Sequence, residues 1–79
     1  MNGELDKYLK KLIGKKVEIY TNTASVVRGV LKDVSSSLNL LVKGKYTNES
    51  SQSLERLIVI YHNYIRTIEE IPCLEIDKR

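Results

Sequence analysis

The sequence has a single cysteine, Cys73, so no intrachain disulfide can brace it. It has a single histidine, His62, which excludes a Cys/His zinc site as well. Its longest apolar run is far short of a membrane span, and its N-terminus carries no signal-peptide core. The expectation is a cytoplasmic chain with no membrane partner. The serines at 35–37 have no recognisable base or acid partner, and no acid–base pair or metal constellation can be assembled elsewhere. A non-enzyme without a cofactor is expected.

What is present is small. Seventy-nine residues suffice for one domain, 1–79, and a chain of this size buries only about 60% of its unfolded surface. With disulfides and metals excluded, oligomerisation is the first remaining source of stability to look for. The net charge of +3 is unevenly placed. Residues 1–32 hold seven basic against three acidic side chains, 33–54 hold two of each, and 55–79 hold four against five. A basic N-terminal part suits an anionic partner such as nucleic acid, unless its lysines are simply a solvated helix face.

Leu5, Tyr8, Leu9, Leu12 and Ile13 recur at the spacing of an amphipathic helix, which predicts a helix over about 4–13. Glu4 and Asp6 open it and lysines close it, as the helix dipole favours. Asn2 is the expected N-cap, and Gly14 the expected left-handed residue after the helix. From Lys16 the period changes to two, with Val17 and Ile19 alternating with Lys16, Glu18 and Tyr20. Asn22-Thr23-Ala24 carries a weak turn signal without glycine. Residues 25–34 form a second strand, in which Gly29 marks a bulge or bend. A third strand resumes at 38–42, and 44–53 reads as a polar loop. Strands follow at 54–61 and 64–68, joined by a tight turn at His62-Asn63 and stopped by Pro72; 72–79 is a short tail. The class is mainly β: a short N-terminal helix, then a five-stranded, strongly bent antiparallel small barrel over about 16–70. An oligonucleotide-binding barrel would need a helix between strands three and four, which the polar loop cannot supply.

These residues carry a resemblance. Residues 12–19 look like the opening of the first motif of Sm-like (Lsm) proteins. Gly29-Val30-Leu31 followed by Leu38-Asn39-Leu40 fits its second half. Residues 60–68 take the place of the second motif, with Ile65 and Ile68 at its apolar positions. The chain is similar to the archaeal-type Sm-like proteins over roughly residues 5–72. The resemblance implies an Sm-type (SH3-like) barrel and self-association into a closed ring, most often of seven subunits. It also implies single-stranded, uridine-rich RNA bound near the pore, and RNA-processing proteins as possible partners within a ribonucleoprotein.

Residue by residue, the family's acidic position falls at Ser35, its stacking position at Ser37, and its asparagine at Asn39. The Arg-Gly pair of the second motif falls at Tyr61 and His62, and the following asparagine at Tyr64. Ser37 cannot stack on a base and Ser35 brings no charge, whereas Tyr61 or His62 offers a new flat platform. The resemblance therefore implies weakened or altered uridine preference. It also places Asn39 and Tyr61 on one rim of the pore.

Each of these residues has a plain alternative role. Asn39 either meets a base edge or caps a turn, Tyr61 either stacks or packs with its hydroxyl in water, and His62 is otherwise a turn residue. The competing functional reading is a ring-shaped assembly scaffold that has lost the uridine pocket. In either case the last two strands are expected at opposite edges of the subunit. Leu57-Ile58-Val59-Ile60 there puts apolar side chains on both faces of one strand, which suits pairing between neighbouring copies.

Overall fold

Helix α1 is Gly3–Lys11, with Glu4 and Asp6 in its first turn and Lys10 and Lys11 in its last. Asp6 and Lys10 form an i, i+4 ion pair at 3.4 Å. The computed structural model describes residues 3–72; the expected cap Asn2, Cys73 and the rest of the tail lie outside the described residues. The helix ends two residues earlier than its stripe predicts. Leu12 N–H donates to Leu9 O at 3.0 Å and Ile13 N–H to Lys10 O at 3.2 Å, which tightens the chain into a turn. Gly14 then takes φ +89°, the left-handed conformation expected of it. Its N–H reaches Leu31 O at 2.7 Å, and Leu31 N–H returns to Lys15 O, so the helix exit is tied to the sheet.

Only part of the stripe is core. Leu9 and Leu12 are buried, while Leu5 (42%), Tyr8 (47%) and Ile13 (38%) stay exposed. The helix packs onto β2, and Leu5 lines an open groove between α1 and Ile65–Ile68.

Five antiparallel strands follow: β1 Lys16–Thr21, β2 Val26–Val34, β3 Leu40–Tyr46, β4 Arg56–Ile60 and β5 Ile65–Glu70. They form one bent, unclosed sheet in the order β4-β3-β2-β1-β5, so β4 and β5 occupy its two edges. In β1, Val17 and Ile19 are fully buried and Lys16 and Tyr20 face out, the alternation of a half-covered strand. In β2 the alternation slips where Lys32 is bulged between the pairs Leu31–Val42 and Asp33–Leu41. Lys32 and Asp33 are both exposed as a result, and Val34 returns to the core.

Of the bulge or bend that Gly29's place in the strand suggested, the bulge falls at Lys32 instead. Gly29 pairs with Gly44, and a Cβ on either would collide with the other strand: Gly29 with Lys43 O, Gly44 with Arg28 O. The two glycines let β2 and β3 cross in close contact. This pairing also carries β3 on to Tyr46, through residues expected to be loop, because ladder hydrogen bonds need no apolar side chain. The polar connection begins only at Thr47, and β4 is shorter than expected by two residues at its start and one at its end. β5 runs from Ile65 to Glu70, shifted towards Pro72 relative to the expected 64–68.

Val27, Leu31, Leu40, Val42, Ile58 and Ile60 complete the core with β1 and the helix. β4 is two-faced as its sequence suggests: Ile58 and Ile60 point in, Leu57 (62% exposed) and Val59 (55%) point out.

Candidate nucleic-acid interface

The β2–β3 loop is built around one hydroxyl. Ser35 Oγ accepts the N–H of Ser37 at 3.2 Å and of Asn39 at 3.1 Å. Ser35 N–H donates to Asn39 O, and Leu38 N–H to Ser35 O, both at 2.9 Å. Leu38 is forced to φ +65°, an uncommon conformation for a side-chain-bearing residue. Its side chain packs against the core, which offsets that strain. With Leu38 turned inward, the half-buried Asn39 is directed across to the next loop.

There Asn39 Oδ1 accepts the backbone N–H of His62 at 2.9 Å. Because the partner is a donor, the amide must present its oxygen there, so Nδ2 is the end left to meet a ligand. His62–Tyr64 is a single 3₁₀ turn, closed by Tyr64 N–H on Tyr61 O at 2.9 Å. Its far side is held by Asn22, whose Nδ2 donates to Asn63 O at 3.0 Å and whose N–H donates to Tyr64 O at 2.9 Å. The turn is thus clamped between the β2–β3 loop and the β1–β2 turn.

The β1–β2 turn works without glycine because Thr21, buried at 8% exposure, serves as its hub. Its Oγ1 accepts the Ser25 N–H at 3.1 Å and donates to Ser25 O at 3.0 Å, while Ala24 takes φ +68°.

Ser35, Ser37, Asn39, Tyr61 and His62, singled out from sequence, therefore meet in one place: three in one loop, two at the start of the turn it contacts. Their parts differ. Ser35 is a structural hub of its loop. Ser37 is exposed, Asn39 does cap a turn, though the one that follows the adjacent strand β4 rather than its own loop, and Tyr61 and His62 are exposed. Tyr64, at the position of the second motif's asparagine, frames the site as well, as do Asn22 and Asn63, which were not weighed as site residues. The Thr21-Asn22-Thr23 run, side-chain hydrogen bonders at a turn without glycine, was the signal for Asn22.

Arg66 lies beside His62 in a shallow apolar groove between α1 and β5. Arg28 and Arg56 are paired elsewhere. Glu18 accepts from the Arg28 guanidinium and the Tyr20 hydroxyl, which hold its carboxyl below the usual range. Glu49 is held low by a two-pronged bond from Arg56, at 3.0 and 2.6 Å. Among the described residues no group of His, Cys, Asp and Glu is placed to hold a metal ion. The site offers an amide, hydroxyls and flat rings on a clamped backbone. That chemistry suits holding a planar, hydrogen-bonding ligand.

No protein-family model and no curated protein matches the sequence. Solved structures do match the fold. A heptameric archaeal Sm protein superposes with a TM-score of 0.69 at 22% identity, covering 84% of this chain and 98% of that one. An SmAP (LSm) protein from Methanococcus vannielii gives 0.66 at 22% identity, covering 86% and 97%. A chain of the NatC complex, solved bound to CoA, gives 0.64 at 23% identity, covering 76% and 79%. The N-terminal helix and the bent five-stranded sheet are those of the Sm-like fold. The structure thus bears out the fold that the sequence motifs implied.

Proposed function

We propose that the chain is a non-catalytic, ring-forming Sm-like protein that binds single-stranded RNA at the Asn39–His62 junction, with a weakened preference for uridine. The observation that carries the reading is the Asn39 Oδ1 bond to His62 N–H, which joins the two loops bearing all the candidate residues. Asn39 Nδ2 supplies a donor for a base acceptor, and the exposed rings of Tyr61 and His62 supply stacking surfaces. Ser35 and Ser37 contribute neither charge nor ring, so base choice rests on few contacts.

Ring assembly is supported by the edges of the sheet. β4 and β5 lie on opposite edges, so β4 of one copy pairing with β5 of the next is a head-to-tail contact that can close into a ring. It would also cover Leu57. That a structural neighbour is a heptameric archaeal Sm protein supports closed self-association of this fold.

A second reading, a protein-interaction or assembly subunit without RNA, is favoured by the Ser35 oxygen, which accepts two N–H groups of its own loop, and by the neighbour that is a chain of the NatC complex. Titration with oligo-U, oligo-A and mixed-sequence RNA at two salt concentrations decides. The RNA reading expects binding whose log–log salt slope is about −0.7 per phosphate contacted, with little discrimination between bases. A ring that binds none of the three supports the second reading.

A further inference from the structure

Beside the 3₁₀ turn, with Asn39 outside its lining, the bent sheet leaves a cleft of about 350 Å³. This lies at the lower end of the ~300–1,000 Å³ typical of small-ligand sites. Three of the chain's five tyrosines line it, Tyr46, Tyr61 and Tyr64, together with Thr23, Ser25 and Val59. Nothing in the sequence brings these residues together. Tyr46 pairs with Val27 at one end of β3, and the strand end of β4 pairs with Leu40 at the other. They share a cleft only because the sheet curls.

We infer that this cleft is a second base-binding position for single-stranded RNA, adjoining the Asn39 site through Tyr61; the inference rests on the RNA reading above. The chemistry is that of a stacking site. Flat rings bind any base through its face, and phenol and serine hydroxyls both donate and accept, so either edge pattern can be met. Among the described residues the hydroxyls of Tyr46, Tyr61, Tyr64 and Ser25 are engaged in no hydrogen bond. No acidic side chain lines the cleft to repel phosphate. One ring is steadied in place: the Arg56 guanidinium lies 5.8 Å from the Tyr46 centroid and is itself locked on Glu49. A neighbouring cleft beside Lys45 is different, because its lysine is taken up by internal partners. There Lys45 Nζ holds the carbonyls of Ser51 and Ser53 at 3.2 and 3.1 Å. Tyr61 stands at the start of the turn, between the two positions. A strand crossing the turn would place one base against Asn39 and His62 and the next against Tyr64 and Tyr46, giving each subunit a two-nucleotide footprint.

Tyr64→Ala, Tyr64→Phe and Asn39→Ala test this in the full chain. The Tyr64 side chain is half exposed, and its part in the turn is played by its backbone N–H and carbonyl, so truncation leaves those bonds in place. Each variant is titrated with labelled oligo-A and oligo-U by anisotropy, with melting temperature and light-scattering mass measured alongside. Because the chain has no tryptophan, its intrinsic emission reports tyrosine directly. The inference expects Tyr64→Ala to weaken both RNAs about tenfold and to lose part of the RNA-induced quenching. It expects Tyr64→Phe to stay near the wild type and the assembly mass to be constant. Asn39→Ala weakening binding while Tyr64→Ala does not overturns the cleft and leaves the Asn39 site standing. The converse result supports the cleft and removes Asn39 from recognition. A changed assembly mass with unchanged binding per subunit overturns it, assigning the tyrosines to a subunit contact. Wild-type protein that binds neither RNA overturns both readings.

Discussion

Replacing Asn39 by alanine and by aspartate separates the two tasks of one side chain. Oδ1 accepts the His62 N–H at 2.9 Å and clamps two loops, while Nδ2 is the end proposed to meet a base. Alanine removes both groups. The lost bond is neutral and only half shielded from water, which puts its contribution at about 1 kcal/mol. In a domain of this size that corresponds to a fall in Tm of roughly 4–8 °C. Aspartate keeps an oxygen facing the His62 N–H, so its Tm should stay within about 2 °C of the wild type. It offers no donor and adds a negative charge, so its RNA binding should fall at least as far as that of the alanine variant. Thermal melts by circular dichroism and anisotropy titrations in the same buffer read the two effects separately. An aspartate variant that binds RNA like the wild type would refute the donor role of Nδ2. An alanine variant with an unchanged Tm would refute the clamp.

Gly44→Ala places a Cβ against Arg28 O and should cost about 3 kcal/mol or more, or prevent folding; Gly3→Ala, with open space around it, should change stability by less than about 0.5 kcal/mol. Equal effects in chemical denaturation would show that the Gly29–Gly44 crossing is not tight. Ala24→Gly removes a side chain from a left-handed position and should stabilise by up to about 1 kcal/mol; a loss of stability would mean that the turn depends on Ala24. Glu18 titrates below the ordinary carboxylate value because Arg28 and Tyr20 bind its charged form. Its contribution is present above the unfolded-state value and is lost as pH falls through the lower folded value. Glu18→Gln should therefore be less stable than the wild type at neutral pH and converge with it in acid, and a gap that is constant with pH would contradict this. Leu57→Lys should leave the buried face of β4 intact while shifting the mass by light scattering from ring to monomer; an unchanged mass would remove β4 from the subunit contact.

Local physics made much of the molecule legible in advance. The helix was readable from its stripe, its end from Gly14, and β1 from strict alternation, because each depends on neighbours within a turn or a strand. The two-faced character of β4 followed from four consecutive apolar residues in one extended segment. Asn39, Tyr61 and His62 were singled out by the resemblance to the Sm-like motifs, not by local physics.

Other features depend on residues far apart in the chain, and for these the sequence held no distance. How much of the helix stripe is buried was decided by where the helix packs on the sheet, so Leu5 and Tyr8 stay exposed while Leu9 does not. Gly29 looked like a bulge because its partner Gly44 is invisible until β2 and β3 are in register, and the real bulge at Lys32 has no compositional mark. The double role of Asn39, the framing of the turn by Asn22 and the gathering of Tyr46, Tyr61 and Tyr64 into one cleft were settled only by tertiary structure. Periodicity says which side of an element is apolar. Which elements then meet, and which polar groups are left facing one another, depends on ladder register and on the curl of the sheet, and these are properties of the folded chain alone.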